Sequence, residues 1–279
     1  MVQIGNFNTL EVVKELDFGM YLDGGKLGEI LLPVRYIPEG LSVGDKVEVF
    51  IYLDSEDRLI ATTEKPYAHV GQFAFLRAKS TNRFGAFMDW GLMKDLLVPF
   101  REQKVKMVEE RSYIVYVYLD KESERIAASA KIEKYLDNVL PDYEMNQEVD
   151  ILVASRAEIG FKVIVNNLHS GMLYYNEIFE DIQVGDQLKA YVKHVRDDLK
   201  IDLSLQPLGY EMRIDPLADE IMKALKENDG FIPVSDKSPA DDIEAWFSCS
   251  KKSFKKAVGA LYKKREIEFR DNGIAVVAK

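Results

Sequence analysis

Cysteine is almost absent. Cys249 is the one thiol in 279 residues, so no internal disulfide can form and a reducing compartment is expected. Histidine is scarce too: His69, His169 and His194 stand far apart, outside any spacing that gathers metal ligands. No apolar run approaches the roughly 18 residues of a membrane span. The opening Met1-Val2-Gln3-Ile4-Gly5-Asn6 lacks the basic-then-apolar order of a secretory signal. These absences predict a cytoplasmic protein with no membrane association. There is no phosphate-cradling glycine loop with its lysine and no nucleophile elbow. Asp197-Asp198 reads as a turn and Asp241-Asp242 as a helix start. Cys249 precedes a basic segment, where a lowered pKa is conceivable, but an idle or buried thiol is the plainer reading. No catalytic residue, metal or cofactor is expected.

What is present is core material and charge. Hydrophobic residues make up 47% of the chain and mean hydropathy is −0.18, as in a folded soluble protein. With 37 basic and 47 acidic residues the net charge is −10. That balance opposes nucleic acid only in aggregate, because salt screens surface charge over roughly 8 Å.

Self-comparison organises the chain. At an offset of 66, Ile4-Gly5 falls on Val70-Gly71, Asp17-Phe18-Gly19-Met20-Tyr21 on Arg83-Phe84-Gly85-Ala86-Phe87, and Pro33 on Pro99. Tyr52-Leu53-Asp54 falls on Tyr118-Leu119-Asp120, and Ile60-Ala61 on Ile126-Ala127. A further offset of 75 carries Gln72 to Gln147, Gly85 to Gly160 and Ile126 to Ile201, and Val43-Gly44-Asp45 reappears as Val184-Gly185-Asp186. A linker is expected at 134–142, where Pro141 fits a boundary. Alternating runs at 47–52, 113–118, 149–153 and 188–192 read as short strands. Five strands closing on themselves in roughly 65 residues remove the exposed sheet edges.

After Pro207 the period changes. Asp215-Pro216 signals a helix start, and Leu217, Ile221, Met222 and Leu225 share one helical face. A short helix fits 239–247, and a third runs from Ser250 to about Lys264 with Phe254, Val258, Leu261 and Tyr262 as its apolar stripe. A hairpin follows, turning at Asp271-Asn272-Gly273. Three helices and a hairpin describe a winged helix. The expected architecture is mainly β: barrels at 1–65, 66–137 and 138–213, then the winged helix at 214–279.

Phe84-Gly85-Ala86-Phe87 resembles the core signature of the S1 RNA-binding barrel, a member of the OB-fold class, and the strand ending Ile126-Ala127-Ala128-Ser129 fits the same pattern. The second copy matches best, and the third is degenerate. Three such barrels followed by a winged helix resemble the bacterial conserved virulence factor B family, regarded as RNA-binding regulators of gene expression rather than catalysts. The resemblance implies a ligand column in each copy: two aromatics around a glycine, a histidine, an acid and a base. In the second copy these are Phe84, Phe87, Pro99, Asp120 and Arg125. In the first they are Phe18, Tyr21, Pro33, Asp54 and Leu59, with Arg58 one position from the basic column. In the third they are Ile159, Lys162, Tyr174, Arg196 and Lys200, aromatics lost and cations gained. Proline at the histidine column removes a hydrogen-bond donor.

Physically, such a surface needs exposed rings beside cations, because stacking is tolerant of base identity. Two aromatics three apart fall on opposite faces of a flat strand, so a bend or bulge at Gly85 is expected to bring Phe84 and Phe87 together. Tyr116 and Tyr118 are read as structural. Segment charges rank the barrels: 6 basic against 12 acidic in 1–65, 12 against 10 in 66–137, 7 against 13 in 138–213, and 12 against 12 in 214–279. Residues 250–265 hold Lys251, Lys252, Lys255, Lys256, Lys263, Lys264 and Arg265 and no acid, a candidate phosphate-contacting helix. The leading expectation is a single-stranded RNA binder centred on the second barrel. Two alternatives stay open: a DNA-binding transcription regulator acting through the winged helix, and a scaffold recruiting ribosome or polymerase.

Overall fold

The computed structural model describes residues 1–178, 181–207, 216–263 and 265–277. Among them are eighteen strands and three α-helices, in two compact units, Met1–Leu208 and Gly209–Lys279. No helix among the described residues is long and apolar enough to cross a membrane.

The first unit holds three barrels. The first is built from β1 (Phe7–Leu16), β2 (Gly19–Asp23), β3 (Glu29–Pro33), β4 (Lys46–Leu53) and β5 (Leu59–Thr62), closed in the order β1-β2-β3-β5-β4. The second has β6 (Phe73–Thr81), β7 (Gly85–Asp89), β8 (Leu96–Pro99), β9 (Ser112–Leu119) and β10 (Ile126–Ser129). The third has β11 (Glu148–Arg156), β12 (Gly160–Val165), β13 (His169–Tyr174), β14 (Gln187–Val195) and β15 (Ile201–Ser204), closed as the first is. The second barrel is nearly closed, since β8 runs beside β10 without a hydrogen-bonded ladder. Alternation sends Val12, Leu22, Leu32, Val49 and Ile51 into the first core, and Val153, Val163, Leu173, Val192 and Leu203 into the third.

Each barrel carries a bulge at one place in its first strand, between Val12 and Lys14, Ala78 and Ser80, and Val153 and Ser155. The turn before the fourth strand satisfies it. Gly44 N–H donates to Val12 O at 2.8 Å, Gly185 N–H to Val153 O at 2.8 Å, and Glu110 N–H to Ala78 O at 2.7 Å. All three donors have positive φ, at 94°, 101° and 64°. The repeated valine-glycine-acid element is therefore the chain's answer to the bulge. The second barrel puts a glutamate where its neighbours have glycine.

The barrels share cores. Phe50 and Tyr52 of β4 are buried in one cluster with Ala74, Met88, Trp90 and Val117 of the second barrel. Phe50 meets Trp90 edge-on, ring centroids 5.8 Å apart. Between the second and third barrels, Phe73, Ile114, Ile132, Leu136, Leu152 and Ile164 form another buried cluster. The segment leading into the expected linker is packed against both barrels. Residues 132–135 make a 3-10 turn, Ile132 and Leu136 are buried, and Tyr135 stacks on Tyr116 at 3.9 Å. At this seam Gly185 faces Phe75 so closely that a Cβ would lie 2.1 Å from the ring. His169 is spent structurally: Nε2–H donates to Val139 O at 2.8 Å and Nδ1 accepts from the Tyr143 hydroxyl at 2.9 Å.

In the second unit α1 (Pro216–Glu227), α2 (Ala240–Phe247) and α3 (Lys251–Lys263) pack on a sheet of β16 (Phe231–Ile232), β17 (Ile267–Arg270) and β18 (Gly273–Val276), in the order β16-β18-β17. Ile221, Leu225, Ile243, Phe254, Val258, Leu261 and Ile274 fill its core. Ser250 caps α3, its hydroxyl accepting from Ser253 N–H at 3.2 Å. Tyr262 departs from the expected stripe. It is exposed and packs on the equally exposed Phe269, centroids 5.1 Å apart. Its place beside Leu261 turns it off the buried face. Asp215 and Lys264 lie outside the described residues.

Candidate nucleic-acid interface

Phe84 ends the turn that enters β7. Asn82 Oδ1 accepts its N–H at 2.8 Å, and Phe100 N–H donates to its carbonyl at 3.3 Å. Being in the turn, Phe84 escapes the strand's alternation, and the residue is 57% exposed. Phe87, within β7, is half-buried and pairs with Ser80 just past the bulge of β6. The two rings wall one cavity of about 320 Å³. The first barrel shows the same arrangement directly, with the rings of Phe18 and Tyr21 in edge contact at 6.3 Å.

The expected bulge at Gly85 is corrected by this geometry. Gly85 pairs regularly with Pro99, and the bulge is on the neighbouring strand. Glycine is required for close approach: a Cβ at Gly85 would stand 2.2 Å from Val98 O, at Gly19 2.4 Å from Leu32 O, and at Gly160 2.0 Å from Leu173 O.

The cavity opens along the unladdered β8–β10 edge, lined by Leu96, Leu97 and Pro99 on one side and Ile126 and Ala127 on the other. Tyr118 lines it as well, so its reading as purely structural is too narrow. Burial, followed by the nearby Glu102 carboxylate, pushes its phenol up to about 12, so it stays a neutral donor in the working pH range. Trp90 borders the cavity and donates from Nε1 to Lys94 O at 2.6 Å. Asp120 accepts from Ser123 Oγ at 2.8 Å and lies 3.8 Å from Arg101.

Arg125 faces this cavity, but its guanidinium is ion-paired with Asp57 of the first barrel. Lys94 joins them, 3.4 Å from Asp57 Oδ1 and donating to Asp54 O at 2.6 Å. Arg58 is 68% exposed and turned onto its own loop, pairing with Asp54 at 2.7 Å and Glu56 at 2.9 Å. Burial raises the pKa of Asp54, but hydrogen bonds from the Arg58 backbone and side chain outweigh this and hold it below the carboxylate range.

A cation lies over an aromatic in each barrel: Lys14 over Tyr21 at 5.3 Å, Arg83 over Phe84 at 4.9 Å, and Arg156 over Phe161 at 5.5 Å. Sequence reasoning missed Arg83 and Lys94. Arg83 was legible as the neighbour of Phe84. Lys94 left no local signal, because its partners belong to another barrel.

In the third barrel Lys162, Arg196 and Lys200 come together, with Lys104 of the second barrel, along a cleft of about 720 Å³. Apolar Ile114, Leu136, Val163 and Met172 also line it. Ile159 is exposed, and Tyr174 donates its hydroxyl to Asp202 at 3.0 Å. On α3, Lys252, Lys255 and Lys256 are exposed and Lys251 half-buried, and Arg265 is exposed just beyond.

Similar proteins are known. An S1 domain model matches residues 4–64, and a CvfB-like winged helix domain model matches 219–275. The chain is 27% identical to conserved virulence factor B of Staphylococcus saprophyticus over 99% of its length and 95% of the relative's. It is 30% identical to the uncharacterized protein YitL of Bacillus subtilis, over 95% of its length and 90% of that protein's. A crystal structure of a multidomain protein with nucleic acid binding domains from Streptococcus pneumoniae covers 98% of each chain at 27% identity, with a TM-score of 0.43.

Proposed function

Because this chain belongs to the conserved virulence factor B family, and because its second barrel opens a ring-walled cavity beside cations, we propose that it binds single-stranded RNA and regulates gene expression by doing so. The observation that carries the proposal is the shared cavity of Phe84 and Phe87. An unpaired base stacks on those rings, while Arg83, Lys94 and Arg125 serve its phosphates. Phe18 and Tyr21 offer a second stacking platform. The cleft of Lys162, Arg196 and Lys200 takes phosphates without stacking. Asp120, Arg58 and Tyr174 bound these faces and set which edges of a base are accepted.

The lysines of α3 favour a second reading, in which the winged helix engages duplex nucleic acid through phosphate contacts. One set of fluorescence anisotropy titrations separates the two, using the full chain with a labelled uridine decamer and with a duplex DNA of equal length. Stacking contributes about 1–3 kcal/mol per base. Phe84→Ala and Phe87→Ala are therefore each expected to weaken decamer binding between about 5- and 150-fold. Unchanged decamer affinity in the double variant overturns the stacking proposal. Duplex preference abolished by charge reversal on α3 supports the second reading.

A further inference from the structure

The loop between β4 and β5 carries an acid to a place where an RNA binder has no evident use for one. Asp57 sits at its tip with φ 61°, a left-handed conformation that costs most side-chain-bearing residues energy and that, glycine apart, Asp and Asn tolerate best. From there its carboxylate bridges two cations of the neighbouring barrel, Oδ2 to Arg125 and Oδ1 to Lys94 at 3.4 Å. The other acids of this cavity have partners of their own. Asp95 pairs with Lys79 at 3.1 Å, and Asp120 with Ser123 and Arg101. Among the described residues of this cavity, Asp57 is the acid that answers Arg125 and Lys94.

A structural clasp is a poor account of this contact. The first and second barrels are already joined through Phe50, Tyr52 and Trp90, all fully or nearly fully buried. The Arg125 and Asp57 side chains remain 58% and 42% exposed, and exposed pairs add little stability. What the geometry does provide is one anion held between a guanidinium and an ammonium, at the mouth of a ring-walled cavity. A phosphate requires that same cradle.

We propose that Arg125 and Lys94 form a phosphate subsite which Asp57, reaching over from the first barrel, occupies in the free protein as an internal substitute for a phosphodiester. RNA enters by displacing this carboxylate. The displacement sets a threshold: a lone phosphate competes poorly with an acid already in place, whereas a strand that also stacks on Phe84 and Phe87 draws on that added binding to open it. The subsite rests on the single-strand reading above, and the rigid seam keeps the acid in position.

Asp57→Asn tests this in the full chain, since asparagine keeps the shape and accepts the left-handed backbone. Removing a competitor worth at most about 1 kcal/mol is expected to tighten binding of the uridine decamer about 2- to 5-fold. In an Arg125→Gln background the gain should shrink, because the competition has lost its main object. Glu56→Gln removes an equal charge from the same loop but frees Arg58 and not the cavity cations, so any gain should be smaller than that of Asp57→Asn and should persist unchanged in the Arg125→Gln background. Equal gains from Glu56→Gln and Asp57→Asn, or no gain from Asp57→Asn, overturn the proposal. So does a lowered unfolding midpoint in Asp57→Asn with unchanged affinity, which would make the contact a clasp. A second readout works without RNA: the Arg125 Nε–Hε NMR signal under titration with inorganic phosphate. It should respond at several-fold lower phosphate in Asp57→Asn than in wild type. An unresponsive signal in Asp57→Asn excludes the subsite, whereas a response together with no decamer binding by any variant would sink the RNA reading alone.

Discussion

Gly85 has no room for a side chain, since the space a methyl would take is already held by Val98 O. Gly85→Ala must push β7 off β8, an overpacking cost of about 1–3 kcal/mol, read as a lowered urea midpoint. Because Phe84 and Phe87 flank the displaced backbone, decamer affinity should fall with it. Glu102 makes a different demand. It lies on the turn after β8, where Ser129 Oγ donates to it at 2.5 Å and Lys134 Nζ at 3.0 Å. Burial raises its pKa, and these donors lower it further than burial raises it. A carboxylate depressed in the folded state contributes stability above its unfolded pKa of about 4.3, and loses that contribution as pH falls through the folded value. Thermal unfolding of the wild type should therefore lose stability as pH falls through and below the ordinary glutamate range. Glu102→Gln should be less stable at neutral pH and lose less over that interval. An identical slope in both proteins would show that Glu102 is not the group responsible.

The elements divide into those that local pattern specifies and those that depend on distant partners. The offset of 66 and the alternating runs were enough to expect three five-stranded barrels, and the change of period after Pro207 was enough for the winged helix. The bulges were not legible. A bulge exists only in the register between two strands, and Lys79 looks like any other strand residue until Ser80 is seen opposite Phe87. The packing of the linker was not legible for a related reason: Ile132 and Leu136 are apolar positions whose burial depends on Leu152 and Ile164 arriving from the next barrel. The S1 resemblance implied a column for Arg125, yet nothing pointed to its partner Asp57, 68 residues away. Among elements, α3 gives a direct test. Ser250→Ala removes its cap and should cost about 0.5–2 kcal/mol, seen as earlier melting of the winged helix with the barrels unaffected.

At the scale of the whole molecule, net charge misleads. A chain of net charge −10 still presents an acid-free stretch at 250–265 and a cleft edged by Lys104, Lys162, Arg196 and Lys200. If those cations touch phosphates, affinity falls with salt by about 0.7 logarithmic units per contact on a single strand. Lys252→Glu with Lys255→Glu should flatten the salt dependence of RNA binding by about 1.4 such units while sparing Phe84 and Phe87. An unaltered slope would remove the winged helix from the RNA interface. The burial of Phe50, a residue of the first barrel, in the core cluster of the second reaches further than stability. Two modules with separate cores drift, and what they grip is found by chance. Here the ring pair of Phe18 and Tyr21 and the ring pair of Phe84 and Phe87 are mounted on one stiff body, like the jaws of a caliper whose screw has been locked. A single strand that bridged the two ring pairs would be gauged against a preset gap, and the slack between its stacked bases would count as much as their identity.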